Sequence, residues 1–86
     1  MKVKLEEVLK KFEDLEYGVS FDEQIFKAER RRGVYEFEEI ICNNKTKTIA
    51  KKVLNYETMN LKIGFFTYQE FQLLTELLKS WGWFDE

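Results

Sequence analysis

Residues 27–45 read KAERRRGVYEFEEIICNNK, and the fold turns on whether this stretch is one hairpin or the end of a helix followed by a strand. Residues 34–42, VYEFEEIIC, mix aromatic and β-branched side chains with glutamates, the pattern of a strand set into a sheet. The Asn43-Asn44-Lys45 that follows suits a turn, because Asn tolerates left-handed backbone angles. Upstream, residues 20–32 admit two readings. As strand, the alternation of Tyr17, Val19 and Phe21 continues through Ile25 and closes a hairpin near Arg30-Arg31-Arg32-Gly33, so that Tyr35, Phe37 and Ile41 face the same core. As helix, Ser20 and Glu23 form a capping box, Phe21 and Ile25 make an i,i+4 pair, and Gly33 is the stop. The strand reading is preferred. It sets Glu36, Glu38 and Glu39 across from Lys27, Arg30 and the lysines of residues 45–52. Cross-strand pairs of opposite charge contribute about 0.2–1 kcal/mol each, and a charged edge discourages sheet-to-sheet aggregation.

Working outward, residues 46–55 (TKTIAKKVLN) and 59–66 (MNLKIGFF) read as further strands. Residues 2–16 place Leu5, Val8, Leu9, Phe12 and Leu15 on one helical stripe. Glu6–Lys10 and Glu7–Lys11 are i,i+4 pairs on the solvated side, and Gly18 is suited to ending that helix. Thr67 and Glu70 form the capping pattern Thr-x-x-Glu ahead of FQLLTELLKSW. In that helix Phe71, Leu73, Leu74, Leu77, Leu78 and Trp81 fill one side, and Gly82 marks its end. The expected architecture is α+β: an N-terminal helix, an antiparallel sheet of three or four strands and a C-terminal helix, with both helices on one sheet face. The other face is expected to carry lysines, glutamates and arginines unless a partner covers it.

A chain of 86 residues encloses one core, so residues 1–86 are read as a single domain. The aromatic share of 16% gives that core its bulk. The single cysteine, Cys42, excludes an intramolecular disulfide, which small secreted domains usually need. The opening MKVKLEEVLKKF lacks the apolar run of a signal peptide, and no eighteen apolar residues follow one another. The expected setting is therefore cytoplasmic, with no membrane span.

Candidate chemistry is limited. The chain has no histidine, which removes the commonest general base and, with one Cys, the usual zinc sites. Adjacent acids such as Glu38 and Glu39 point apart on a strand, and none of the four glycines sits in a phosphate-binding loop. Neither an enzyme nor a cofactor is expected. Net charge is −2, with the bases concentrated in residues 27–66. The expected function is a small protein-binding module, an inhibitor, adaptor or regulator, with a homodimer as one form of it. By class-level analogy alone, compact histidine-free chains of this kind occur among products of phages and mobile elements. Candidate partner-binding residues are Arg30, Arg31, Arg32 and the aromatic Trp83 and Phe84, since Trp is enriched at interfaces. The alternative is a nucleic-acid-binding module whose basic patch adds Lys45, Lys47, Lys51 and Lys52 to the arginines.

Overall fold

The computed structural model describes residues 5–83. It has an N-terminal helix α1 (Leu5–Asp14), five strands β1 (Gly18–Asp22), β2 (Ile25–Arg31), β3 (Glu36–Asn43), β4 (Thr48–Asn55) and β5 (Asn60–Ile63), and a C-terminal helix α2 (Tyr68–Ser80). The strands form one antiparallel meander in the order β1-β2-β3-β4-β5. The domain is α+β as expected, with one strand more than the three or four anticipated. The extra strand arises in residues 17–31, where the chain reverses at Glu23-Gln24 between paired Asp22 and Ile25. The Asp22 carboxylate accepts from the Glu23 N–H at 2.7 Å and holds that turn.

Two later turns share one device. The Asn43 side-chain oxygen accepts from the N–H groups of Lys45 and Thr46, and the Asn55 oxygen from those of Glu57 and Thr58. Each loop then closes through a left-handed residue, Lys47 (φ 59°) and Met59 (φ 58°). Asn opens both hairpins because its short amide mimics a backbone turn.

Opposed residues of an antiparallel sheet share a face, so the register sorts the side chains into rows. Facing the helices run Phe21–Phe26–Cys42–Ile49, Val19–Ala28–Ile40–Lys51 and Arg30–Glu38–Val53–Lys62. Val8 and Phe12 of α1 and Leu73, Leu74 and Leu77 of α2 complete the core against Phe26, Ala28, Ile40 and Cys42. The opposite face carries Glu29–Glu39–Lys52–Ile63 and Arg31–Phe37–Leu54–Leu61. This corrects the expectation that Tyr35, Phe37 and Ile41 point into the core: Ile40 and Cys42 do, while Tyr35 is exposed ahead of β3 and Phe37 stacks edge-on with Tyr56 outside the core. Phe71 likewise stands 55% exposed, although the helical stripe assigned it to the core.

The capping box of α2 is present as read: the Thr67 hydroxyl accepts from the Glu70 N–H, and the Glu70 carboxylate from the Thr67 N–H, both at 3.1 Å. The end of α1 differs from expectation. Its left-handed residue is Glu16 (φ 72°), not Gly18, which already begins β1. The Tyr17 N–H returns to the Phe12 carbonyl and the Glu16 N–H to that of Glu13, a Schellman closure that normally favours glycine at the Glu16 position. Glu16→Gly is therefore expected to stabilise the domain by about 0.5–1 kcal/mol, the left-handed penalty less the glycine entropy. A urea midpoint that stays level or falls would show that the Glu16 side chain contributes more than its backbone strain costs.

Candidate functional site

The helix-facing row Arg30–Glu38–Val53–Lys62 meets the first turn of α2, and the charges there close into a network. Glu70, 1% exposed, lies at its centre. Its Oε1 accepts from Lys51 Nζ at 2.7 Å, and its Oε2 accepts from the Tyr17 hydroxyl and faces an Arg30 guanidinium nitrogen at 3.6 Å. Glu38, also buried, receives Arg30 Nε at 2.7 Å and Lys51 Nζ at 3.3 Å, with Arg32 more distant at 3.8 Å. Arg30 donates to the Leu15 carbonyl at 2.9 Å and lies over the Tyr17 ring at 4.3 Å. The turn that ends α1 is thus tied, through the Leu15 carbonyl, to the same charges that seat α2.

Burial pushes the Tyr17 hydroxyl well above the usual tyrosine range, and its hydrogen bond to Glu70 adds to the shift, so it stays a donor. For Glu70 burial acts upward, but the bonds from Lys51, Tyr17 and Thr67 prevail and hold its carboxyl below the ordinary value of 4.5. Burial acts downward on Arg30, and the Glu38 hydrogen bond with the nearby anions overcomes it. Among the described residues no buried side-chain nitrogen or oxygen lacks a partner. The buried groups of the network are therefore satisfied by one another.

Above it lies an open groove. One part, about 420 Å³, is lined by Glu16, Arg30, Arg31, Arg32, Glu38, Lys51, Phe65 and Thr67, and an adjoining cleft of about 210 Å³ by Arg32, Glu38, Lys51, Val53, Lys62, Ile63, Gly64 and Phe65. Gly64 allows a close approach at this edge, since a Cβ there would lie 3.0 Å from Val53 Cγ2 and 3.1 Å from Lys51 Cγ and would push those side chains aside.

The sequence-derived candidates separate. All three arginines line the groove, but Arg30 is engaged in the network with Glu38, Arg31 lies over the Phe37 ring at 5.6 Å, and Arg32 has half its side chain exposed with its nearest acid at 3.8 Å. Lys51 is buried, Lys52 lies on the opposite face, and Lys45 and Lys47 occupy the far turn. Lys47 Nζ stands 5.2 Å over the Trp83 ring. Trp83 is folded back, its indole N–H donating to Asn44 Oδ1 at 2.6 Å, and Phe84 lies outside the described residues. Cys42 is buried, and burial pushes its thiol up to about 12, so it packs as a small hydrophobe. The expected hairpin pairing of charges is present in Arg30–Glu38 and Lys27–Glu39.

Sequence reading placed a strand over residues 59–66, where β5 lies, but missed the exposed apolar surface that this strand and the link after it present. Leu61, Ile63 and Phe65 are 61%, 82% and 90% exposed, and on α2 Tyr68 and Phe71 are 76% and 55% exposed. The signal was there in NLKIGFF, a strand pattern immediately before a helix cap, in a chain whose other elements already fill the core. Comparison with known proteins adds no relative: no family model, curated protein or solved structure matches the chain.

Two outcomes test the network. Lys51→Ala leaves Glu70 and Glu38 buried without their shared cation and is expected to cost about 3 kcal/mol or more, read as a fall in the urea midpoint. Because the folded-state pKa of Glu70 is depressed, its contribution is present above the ordinary value of 4.5 and is lost as pH falls through the folded value. Glu70→Gln should therefore be less stable at neutral pH, and its stability should fall less steeply with acid than the wild type's. Parallel pH profiles for the two proteins would show that Glu70 does not carry this linkage.

Proposed function

We propose that this chain is a small protein-binding module, an inhibitor, adaptor or regulator, that docks its partner at the β5 edge and the adjoining apolar corner. The observation that carries this reading is the exposure of Leu61, Ile63 and Phe65 on successive alternate positions at the margin of the sheet. Contiguous exposed apolar side chains of this size mark interaction surfaces, because a free monomer gains nothing by leaving them in water. The placement of the cations supports a protein partner over nucleic acid. Arg30 and Lys51 are committed to Glu38 and Glu70, and Lys45 and Lys47 lie in the β3–β4 turn, away from Arg32. A cytoplasmic setting accords with Cys42 as a lone buried thiol. Among the described residues no helix is long and apolar enough to cross a membrane.

The test compares the immobilised wild-type chain with Ile63→Lys in an extract of its native cells. One defined protein is expected to be retained by the wild type and lost by the variant. The variant's melting temperature should hardly move, since exposed substitutions change stability by about 0.5 kcal/mol or less. Identical sets of retained proteins would remove β5 as the docking edge.

A further inference from the structure

We propose that the partner segment held at this edge is an extended acidic one, added antiparallel to β5 as a sixth strand, with one carboxylate seated between Lys62 and Arg32. This rests on the protein-binding reading above and specifies the chemistry of the partner.

The backbone comes first. The Gly64 N–H donates to the Lys51 carbonyl at 2.8 Å, which makes Lys51 and Gly64 a directly bonded pair. Antiparallel pairing alternates, so Lys62 and Asn60 also turn their backbone groups towards β4. Leu61 and Ile63 consequently direct their N–H and C=O groups to the open side, the template that strand addition uses.

Side-chain chemistry then selects the strand. Residues opposed across an antiparallel pair share a face, so an added residue opposite Lys62 lies on the helix side, and its two neighbours lie beside Leu61 and Ile63 on the other face. Opposite Lys62 the pair is a non-hydrogen-bonded one, in which the side chains approach most closely. Lys62 makes no ion pair among the described residues, and Arg32 reaches an acid only at 3.8 Å, with 51% of its side chain exposed. Both line the same cleft of about 210 Å³. The two other charges lining it, Glu38 and Lys51, are already paired with each other at 3.3 Å. The cleft therefore offers two cations to an incoming carboxylate, and the strand's other face offers exposed Leu61 and Ile63 to apolar side chains. The matching segment reads apolar–acidic–apolar. A second copy of this chain fits less well, because pairing Leu61 against Ile63 of another β5 sets Lys62 against Lys62.

The experiment titrates the full chain against two labelled peptides, Ser-Thr-Val-Glu-Val-Thr-Ser and the same peptide with Lys in place of Glu, by fluorescence anisotropy. Amide exchange at Leu61 and Ile63 is followed by NMR. The Glu peptide is expected to bind about tenfold more tightly than the Lys peptide, with the gap closing as salt rises. Lys62→Glu should reverse the preference, Arg32→Gln should narrow it, and bound peptide should protect the Leu61 and Ile63 amides. Equal affinities, or no binding of the Glu peptide, would overturn the acidic-strand assignment. If Ile63→Lys still lost its cellular partner, that result would leave the protein-binding reading standing. Protection of Leu61 and Ile63 without peptide, in a chain that sediments as a dimer, would instead identify the occupant as a second copy and overturn the proposal.

Discussion

The Glu70 carboxylate is the constraint on which the rest of the structure depends. An ionised group this deeply buried costs several kcal/mol in lost hydration unless its oxygens are satisfied, and here they are satisfied from four directions. Thr67 supplies the capping N–H, Lys51 the cation from β4, Tyr17 a hydroxyl from the end of α1, and Arg30 a second cation from β2. One side chain therefore fixes where α2 begins, how α1 ends and which face of the sheet receives both. Apolar packing alone would permit α2 to slide along the sheet. The carboxylate permits one position in which all four partners are met.

The same network sets the strand register. The two rows of β3 are nearly balanced in hydropathy: Glu38, Ile40 and Cys42 on one face, Phe37, Glu39 and Ile41 on the other. A slip of one residue would exchange them at little hydrophobic cost. It would also move Glu38 away from Arg30 and Lys51, leaving the buried Lys51 and the partly buried Arg30 short of an anion. The choice between two similar rows is made by ion pairing, and for that reason the aromatic-first reading of VYEFEEIIC took the wrong face.

What could be read in the sequence follows from the range of each interaction. The α2 cap was legible because Thr67 and Glu70 are three residues apart, and α1 because its stripe repeats within the short run from Leu5 to Leu15. The second task of Glu70 was not legible, since Lys51 lies 19 positions and Tyr17 53 positions away. The three arginines show the same boundary. Strand alternation correctly separates Arg31 from Arg30, but only the three-dimensional positions of Glu38 and Glu70 decide that Arg30 is structural while Arg32, beyond the end of β2, is left facing a groove.

The sheet is consequently unequal from one side to the other. From β1 to β3 it is covered by helices whose side chains belong to the core cluster, whereas no residue of β5 enters that cluster. β5 is held by backbone bonds to β4 and by the close approach that Gly64 allows, not by burial of its own side chains. Burying a side chain such as Leu or Phe yields about 1.5–3 kcal/mol, and Leu61, Ile63 and Phe65 leave most of that unrealised. Elements with few buried contacts lie at the low-stability end of a fold, where binding surfaces are commonly found. The charge network holds the helices over β1 to β3, and the same placement leaves β5 as the edge with both its hydrogen bonds and its apolar surface unspent.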